Sequence, residues 1–196
     1  MLAACSPSPT SKTPGEPAAK ATPTSYTTIT WDKLMPEGAY EALDQQQAEY
    51  MSDLSNKLMQ NAQSLYNRGK EDKIDKIEEG SPLDYMPQLG TFDIVESMNG
   101  QHIRIPGYVV PLEFGAADRS FREFLFVPSQ GACIHAPPPP PNQVIYVKSE
   151  KALKVENTDL PYWLKGTLRA ERKDHSLASA AYAFDLEELS PYPVMQ

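Results

Sequence analysis

Cysteine and histidine are scarce in this sequence, with two Cys and three His among 196 residues. Such a supply rules out a pair of Cys-x-x-Cys motifs and leaves a four-ligand zinc site short of donors. Positive charge is also short: 18 Lys and Arg stand against 26 Asp and Glu, for a net charge of -8. Phosphate contacts need clustered cations, and the basic groups at Lys148–Lys154 and Arg169–Lys173 are interrupted by Glu, so general nucleic-acid binding is excluded. No run approaches the roughly 20 apolar residues that cross a bilayer. A phosphate-cradling Gly loop, a Ser nucleophile elbow and a His-Glu-x-x-His helix are all missing, which leans away from an enzyme. What is present, 40% hydrophobic and 22% charged residues, is the composition of one soluble domain behind a biased N-terminal tail.

The tail carries its own signal. Met1-Leu2-Ala3-Ala4-Cys5 looks like the end of a bacterial lipoprotein signal, in which Cys5 is acylated and becomes the mature N-terminus. The charged and apolar regions that complete such a signal would lie ahead of Met1. Residues 6–28, dominated by Pro, Ser, Thr, Ala and Lys, cannot bury enough apolar surface to offset the entropy of ordering them, so they read as a flexible tether. Together these predict a lipid-anchored protein of the cell envelope that faces the periplasm. Ser6 after the acylated Cys, rather than Asp, favours the outer membrane. The folded domain is expected over 29–196, with a helical part at 29–80 and a β part at 91–190.

From Trp31 to about Tyr66 apolar residues recur at helical spacing: Leu43, Tyr50, Met51, Leu54, Leu58, Leu65 and Tyr66. Such a stripe needs a surface, and packing on the rest of the domain is expected ahead of a groove for a partner. Asn67–Glu79 is charged with only Ile74 and Ile77 to bury, and Gly80-Ser81-Pro82 ends the helical part. Beyond Phe92 short β-type runs alternate with Gly, Pro and Asn. Strands are predicted at Gln101–Ile105, Tyr108–Glu113, Phe121–Val127, Gln143–Lys148 and Tyr162–Ala170, with Pro106-Gly107 bending the chain between the first two. Ser176–Ser190 suits a helix or a last strand. About five short strands with bends suggest an α+β fold: a small, partly open OB-like β-barrel with the N-terminal amphipathic helix packed on it.

Three further stretches are distinctive. Ile105-Pro106-Gly107-Tyr108-Val109-Val110-Pro111-Leu112-Glu113 is followed by Phe124-Leu125-Phe126-Val127-Pro128, then by Gly131-Ala132-Cys133-Ile134-His135-Ala136, five prolines and Asn142-Gln143. This pattern resembles the DUF3299 family, from about Trp31 to the C-terminus, most strongly in the Cys-Ile-His-polyproline-Asn block. Relatives occur beside genes for ABC-type transporters and His-rich lipoproteins thought to handle zinc. The resemblance therefore implies an accessory part in envelope metal handling.

The block has chemistry of its own. With Cys5 acylated, Cys133 is the remaining thiol, so no internal disulfide forms. Cys133 and His135, two apart, turn to one face of an extended backbone, where thiolate and imidazole grip Zn²⁺ or Cu⁺. His102 is the third ligand proposed, and His175 the only other imidazole. Pro137, Pro138, Pro139, Pro140 and Pro141 form a rigid rod that positions this pair, with Asn142 capping the return to strand. The rod offers an apolar rail to aromatic side chains, Tyr162 and Trp163 of this domain ahead of those of a partner that recognises such a rod. Against metal binding stand three other readings: a small buried Cys beside a satisfied His, a non-catalytic interaction module, and a thiol enzyme in which His135 activates Cys133.

Overall fold

The computed structural model describes residues 25–67, 87–113, 120–132 and 138–193. The proposed lipidation site Cys5, the tether up to residue 24 and the charged stretch with its Gly80-Ser81-Pro82 stop lie outside them. The described part begins with a two-residue strand, β1 (Thr27–Thr28), and a 3-10 turn, Trp31–Leu34. Helix α1 spans Ala39–Asn67. The helical pattern predicted from Trp31 onward is thus broken, because Gly38 sits in the left-handed region at φ 79 just before the helix starts.

Five strands then form a ring: β2 (His102–Pro111), β3 (Phe121–Val127), β4 (Ile145–Leu153), β5 (Tyr162–Arg169) and β6 (Tyr182–Pro191). Their order is β2-β3-β4-β6-β5, and β5 returns to β2. Only the β4–β6 pairing within the ring is parallel, the arrangement of an OB-type barrel. The barrel is closed by six residue pairs between β2 and β5, where a partly open one was expected. β1 lies parallel to β2 beside Ile103 and Arg104.

Pro106-Gly107 does not divide two strands as predicted; β2 runs through it without a break. Its first half pairs with β5 and its second half with β3, so the chain changes partner at Gly107. A Cβ there would come within 2.6 Å of the Val127 carbonyl oxygen and 2.7 Å of the Phe126 ring, so only glycine lets the strands cross this closely. β4 starts two residues later than predicted and runs on to Leu153, because Pro141–Gln143 forms a 3-10 turn. The ambiguous Ala-rich end resolves as strand β6.

Alternation along the strands builds two apolar layers. Inside the ring, Ile103, Ile105, Val109, Phe124, Phe126, Ile145, Val147, Leu164, Leu168 and Tyr182 form the main core. Outside it, Val110, Leu125, Val127 and Val144 form a smaller layer capped by Ala132, Ala178 and Ala180. Helix α1 meets the body of the protein near its start, where Ala39 is buried and the Gln46 side chain accepts a hydrogen bond from Gly90 N at 2.7 Å. The predicted stripe divides: Leu43, Tyr50 and Leu54 are half-buried, while Met51, Leu58 and Tyr66 are 56%, 38% and 63% exposed. The Leu65 side chain lies outside the described residues. Length explains the split. A 29-residue helix is about 44 Å long, whereas strands of 7 to 10 residues reach about 23–33 Å.

Candidate functional site

The Cys-His block sits on the connection between β3 and β4. Cys133, His135 and Pro137 themselves lie outside the described residues, but both flanks of that segment are placed. On one side Ala132 is 2% exposed and packs into the outer apolar layer. On the other, Pro139 accepts a hydrogen bond from Gln88 Nε2 at 2.8 Å, and Pro141, buried, accepts one from Ala181 N at 2.8 Å. Among the described prolines, Pro139–Pro141 therefore pack against Gln88–Gly90 and Ala181 rather than against the aromatics predicted. Trp163 instead packs on Tyr192, ring centroids 4.9 Å apart, with the Arg104 guanidinium 4.8 Å over its ring. Tyr162 turns into the core and donates to Asn157 O at 3.1 Å. Asn142 does not cap the turn with its side chain. It is the middle residue of the 3-10 turn, 1% exposed, with Nδ2 3.4 Å from Asp93 O.

The outer face of β2, β3 and β4 corresponds to the surface on which OB-type barrels hold ligands. Beside its apolar layer runs a polar cluster. Tyr146 donates to Glu123 Oε2 at 2.9 Å, and Lys148 Nζ lies 2.6 Å from Glu123 Oε1. Hydrogen bonds from Lys148 and Tyr146 hold the Glu123 carboxyl below the usual carboxylate range, with His175 adding to the effect. Burial, and then the bond to Glu123, push Tyr146 up to about 12. A phenol whose folded value lies above its unfolded one stabilises the fold below pH 10 and loses that contribution as pH rises toward 12. Ultraviolet difference titration should therefore show a late transition from Tyr146, beside that of buried Tyr182, after the exposed tyrosines have ionised. In Glu123→Gln that late transition is expected to move to lower pH, and an unchanged transition would assign it elsewhere.

His102 stands at the start of β2. Its Nε2 lies 2.9 Å from Thr167 Oγ1 and 3.5 Å from Glu187 Oε1, and its ring faces Tyr26 with centroids 5.9 Å apart. Tyr26 in turn donates to Glu187 Oε2 at 2.8 Å. From His102 to Tyr108, which pairs with the end of β3, is six residues of strand, about 20 Å. His175 accepts from Leu177 N at 3.1 Å through Nδ1. Among the described residues no group of three His, Cys, Asp or Glu is close enough to hold a metal.

Two features escaped the sequence reading. Glu123, Tyr146 and Lys148 share one face, and the period-two alternation already used for the strands was signal enough to group them. Gln88 carried no motif at all, and its partners come from residues 51 and 91 positions away.

The comparisons with known proteins agree with this architecture. A crystal structure of a DUF3299 family protein from Pseudomonas aeruginosa PAO1 aligns over 88% of this chain and 99% of its own, at 29% identity and a TM-score of 0.60. No match is found among curated proteins. Residues 31–191 match the family described as protein of unknown function (DUF3299). That range covers the 3-10 turn, helix α1 and all five barrel strands, so the chain belongs to the DUF3299 family.

Proposed function

We propose that this protein is a lipid-anchored, periplasm-facing accessory of an ABC-type transport system that holds Zn²⁺ or Cu⁺ through Cys133 and His135. The observation that carries the reading is the anchoring on either side of that pair. Ala132 is buried in the outer apolar layer, and Pro139 and Pro141 are hydrogen-bonded to separate segments. Fixed points on both sides of a short Cys-x-His stretch limit how far its donors can stray, which favours binding by them. The donor chemistry fits, since thiolate and imidazole suit a borderline or soft ion. His102 is the weaker member of the set, because its Nε2 already engages Thr167 and Glu187. Oxygen donors or the transport partner complete the coordination. Cys5 and the tether hold the domain at the membrane surface while leaving it free to swing.

Elemental analysis of protein purified without a His tag is expected to find up to about one Zn or Cu per chain, in line with a single site. Cys133→Ser combined with His135→Ala is expected to remove it, and metal retained by that double variant would end the proposal. A second reading, an interaction module without metal, is favoured by the exposed apolar side chains of α1, with Met59 71% and Tyr66 63% exposed. Capture of an envelope partner that survives Cys133→Ser, but is lost on Met59→Lys with Tyr66→Lys, would select it.

A further inference from the structure

Leu177–Ala181 lies across the outer apolar face of the barrel. Ala178 and Ala180 are 4% and 0% exposed, and pack with Val110, Leu125, Val127 and Val144, with Leu177 and Tyr146 alongside. Alanine methyls bury little area, so packing alone holds this strap weakly. Its other restraints are polar, and two come from one side chain outside both the strap and the barrel strands, which also holds the proline rod. Gln88 Nε2 donates to Ser179 O and Pro139 O, each at 2.8 Å, while Gln88 Oε1 accepts from Ser179 N at 2.8 Å.

The segment around Gln88 reaches further. Gly90 N donates to Gln46 of α1 at 2.7 Å, and Gly90 seats so closely on Pro140 that a Cβ would come within 2.6 Å of the Pro140 side chain. Arg172, at the start of the loop that carries the strap, lies 3.7 Å over the Phe92 ring. Helix, proline rod and strap thus meet at one short stretch, with no covalent or charged link among the Gln88 bonds. The strap is also pinned at its C-terminal end, by the Lys173–Ala180 bridge and by Ala181 N on Pro141 O at 2.8 Å. Opening of Leu177–Ser179 ahead of those pins is a local excursion that leaves the ring intact.

We propose that Leu177–Ala181 is a releasable cover on the outer face of the barrel, that Gln88 is its latch, and that the latch ties the cover to helix α1. With the latch broken, Val110, Leu125, Val127 and Tyr146 become an accessible apolar face. The device stands independently of whether Cys133 and His135 hold a metal.

Hydrogen exchange read by mass spectrometry on the full chain tests it. Gln88→Glu keeps the shape of the side chain but turns an oxygen toward two carbonyl oxygens. Exchange over 176–181 should then rise about tenfold or more, the effect of losing one net hydrogen bond. Strands β5 and β6 should keep their protection, and fluorescence of an apolar dye should increase. Gln88→Met, which removes the same bonds without adding charge, should act alike if the Glu variant folds poorly. Gln46→Ala should speed the same amides by a smaller factor. Unchanged exchange over 176–181 in both Gln88 variants overturns the latch, and so does equal acceleration across all strands. No effect of Gln46→Ala overturns the tie to the helix.

Discussion

Gly166→Ala is expected to cost this protein about 3–6 kcal/mol, a large share of the 5–15 kcal/mol that ordinarily holds a domain together. Gly166 sits in β5 where its register against β6 shifts, at φ 152, a conformation that glycine adopts freely and residues with a Cβ do not. Strain of that kind costs about 1–3 kcal/mol by itself. A Cβ added there would also come 2.1 Å from the Asp185 carbonyl oxygen and 2.8 Å from the Phe184 ring. The first contact is backbone, and it belongs to the neighbouring strand, so relief requires moving the β5–β6 pairing that helps close the ring. Gly38 is the control: φ is 79, but a Cβ there meets nothing within 4 Å, so Gly38→Ala carries only the local strain of about 1 kcal/mol. Urea unfolding of both variants measures the difference. Equal midpoints would mean that the bulge yields more easily than its geometry implies.

Tyr182→Phe should be the next most damaging change, at about 2–3 kcal/mol, although it leaves the ring in place. Tyr182 is fully buried at the start of β6 and its hydroxyl links three separate parts of the chain. It donates to Leu34 O at 3.1 Å and accepts from Val95 N at 2.8 Å. Phenylalanine fills the same volume, so no cavity opens, and the cost comes from leaving a carbonyl and an amide without their partner. Burial raises the ionisation of Tyr182 above the ordinary phenol value. Its contribution is therefore present below pH 10 and fades at higher pH, so Tyr182→Phe should flatten the alkaline limb of the stability profile. Guanidinium unfolding at neutral and alkaline pH tests both effects. A loss below about 0.5 kcal/mol at neutral pH would show that water replaces the hydroxyl at these two groups.

The strands were legible because each depends on nearest neighbours. Phe121–Val127 and Tyr162–Arg169 carry β-rich sequence and turn residues at their ends, and both lie almost where the pattern put them. Pro106-Gly107 misled for the same reason. Locally it is a bend, and only the approach of Val127 and Phe126 from another strand makes it a crossing point inside one long strand. Asn142 looked like a cap from its position after a proline run, yet burial beside Asp93 decides its role. Cys133 and His135 were singled out by residue type alone, and both lie outside the described residues.

Composition and periodicity alone determined an α+β fold with a barrel of short strands, and the distinctive block determined the family. Those properties follow from local backbone preference and side-chain polarity, which each stretch of sequence expresses by itself. Tertiary structure decided that the ring closes through β2 and β5, that α1 is only partly covered, and that Gln88 joins helix, proline rod and strap. These rest on contacts between residues tens of positions apart, set by how the strands wind around one core, and no local pattern encodes such meetings.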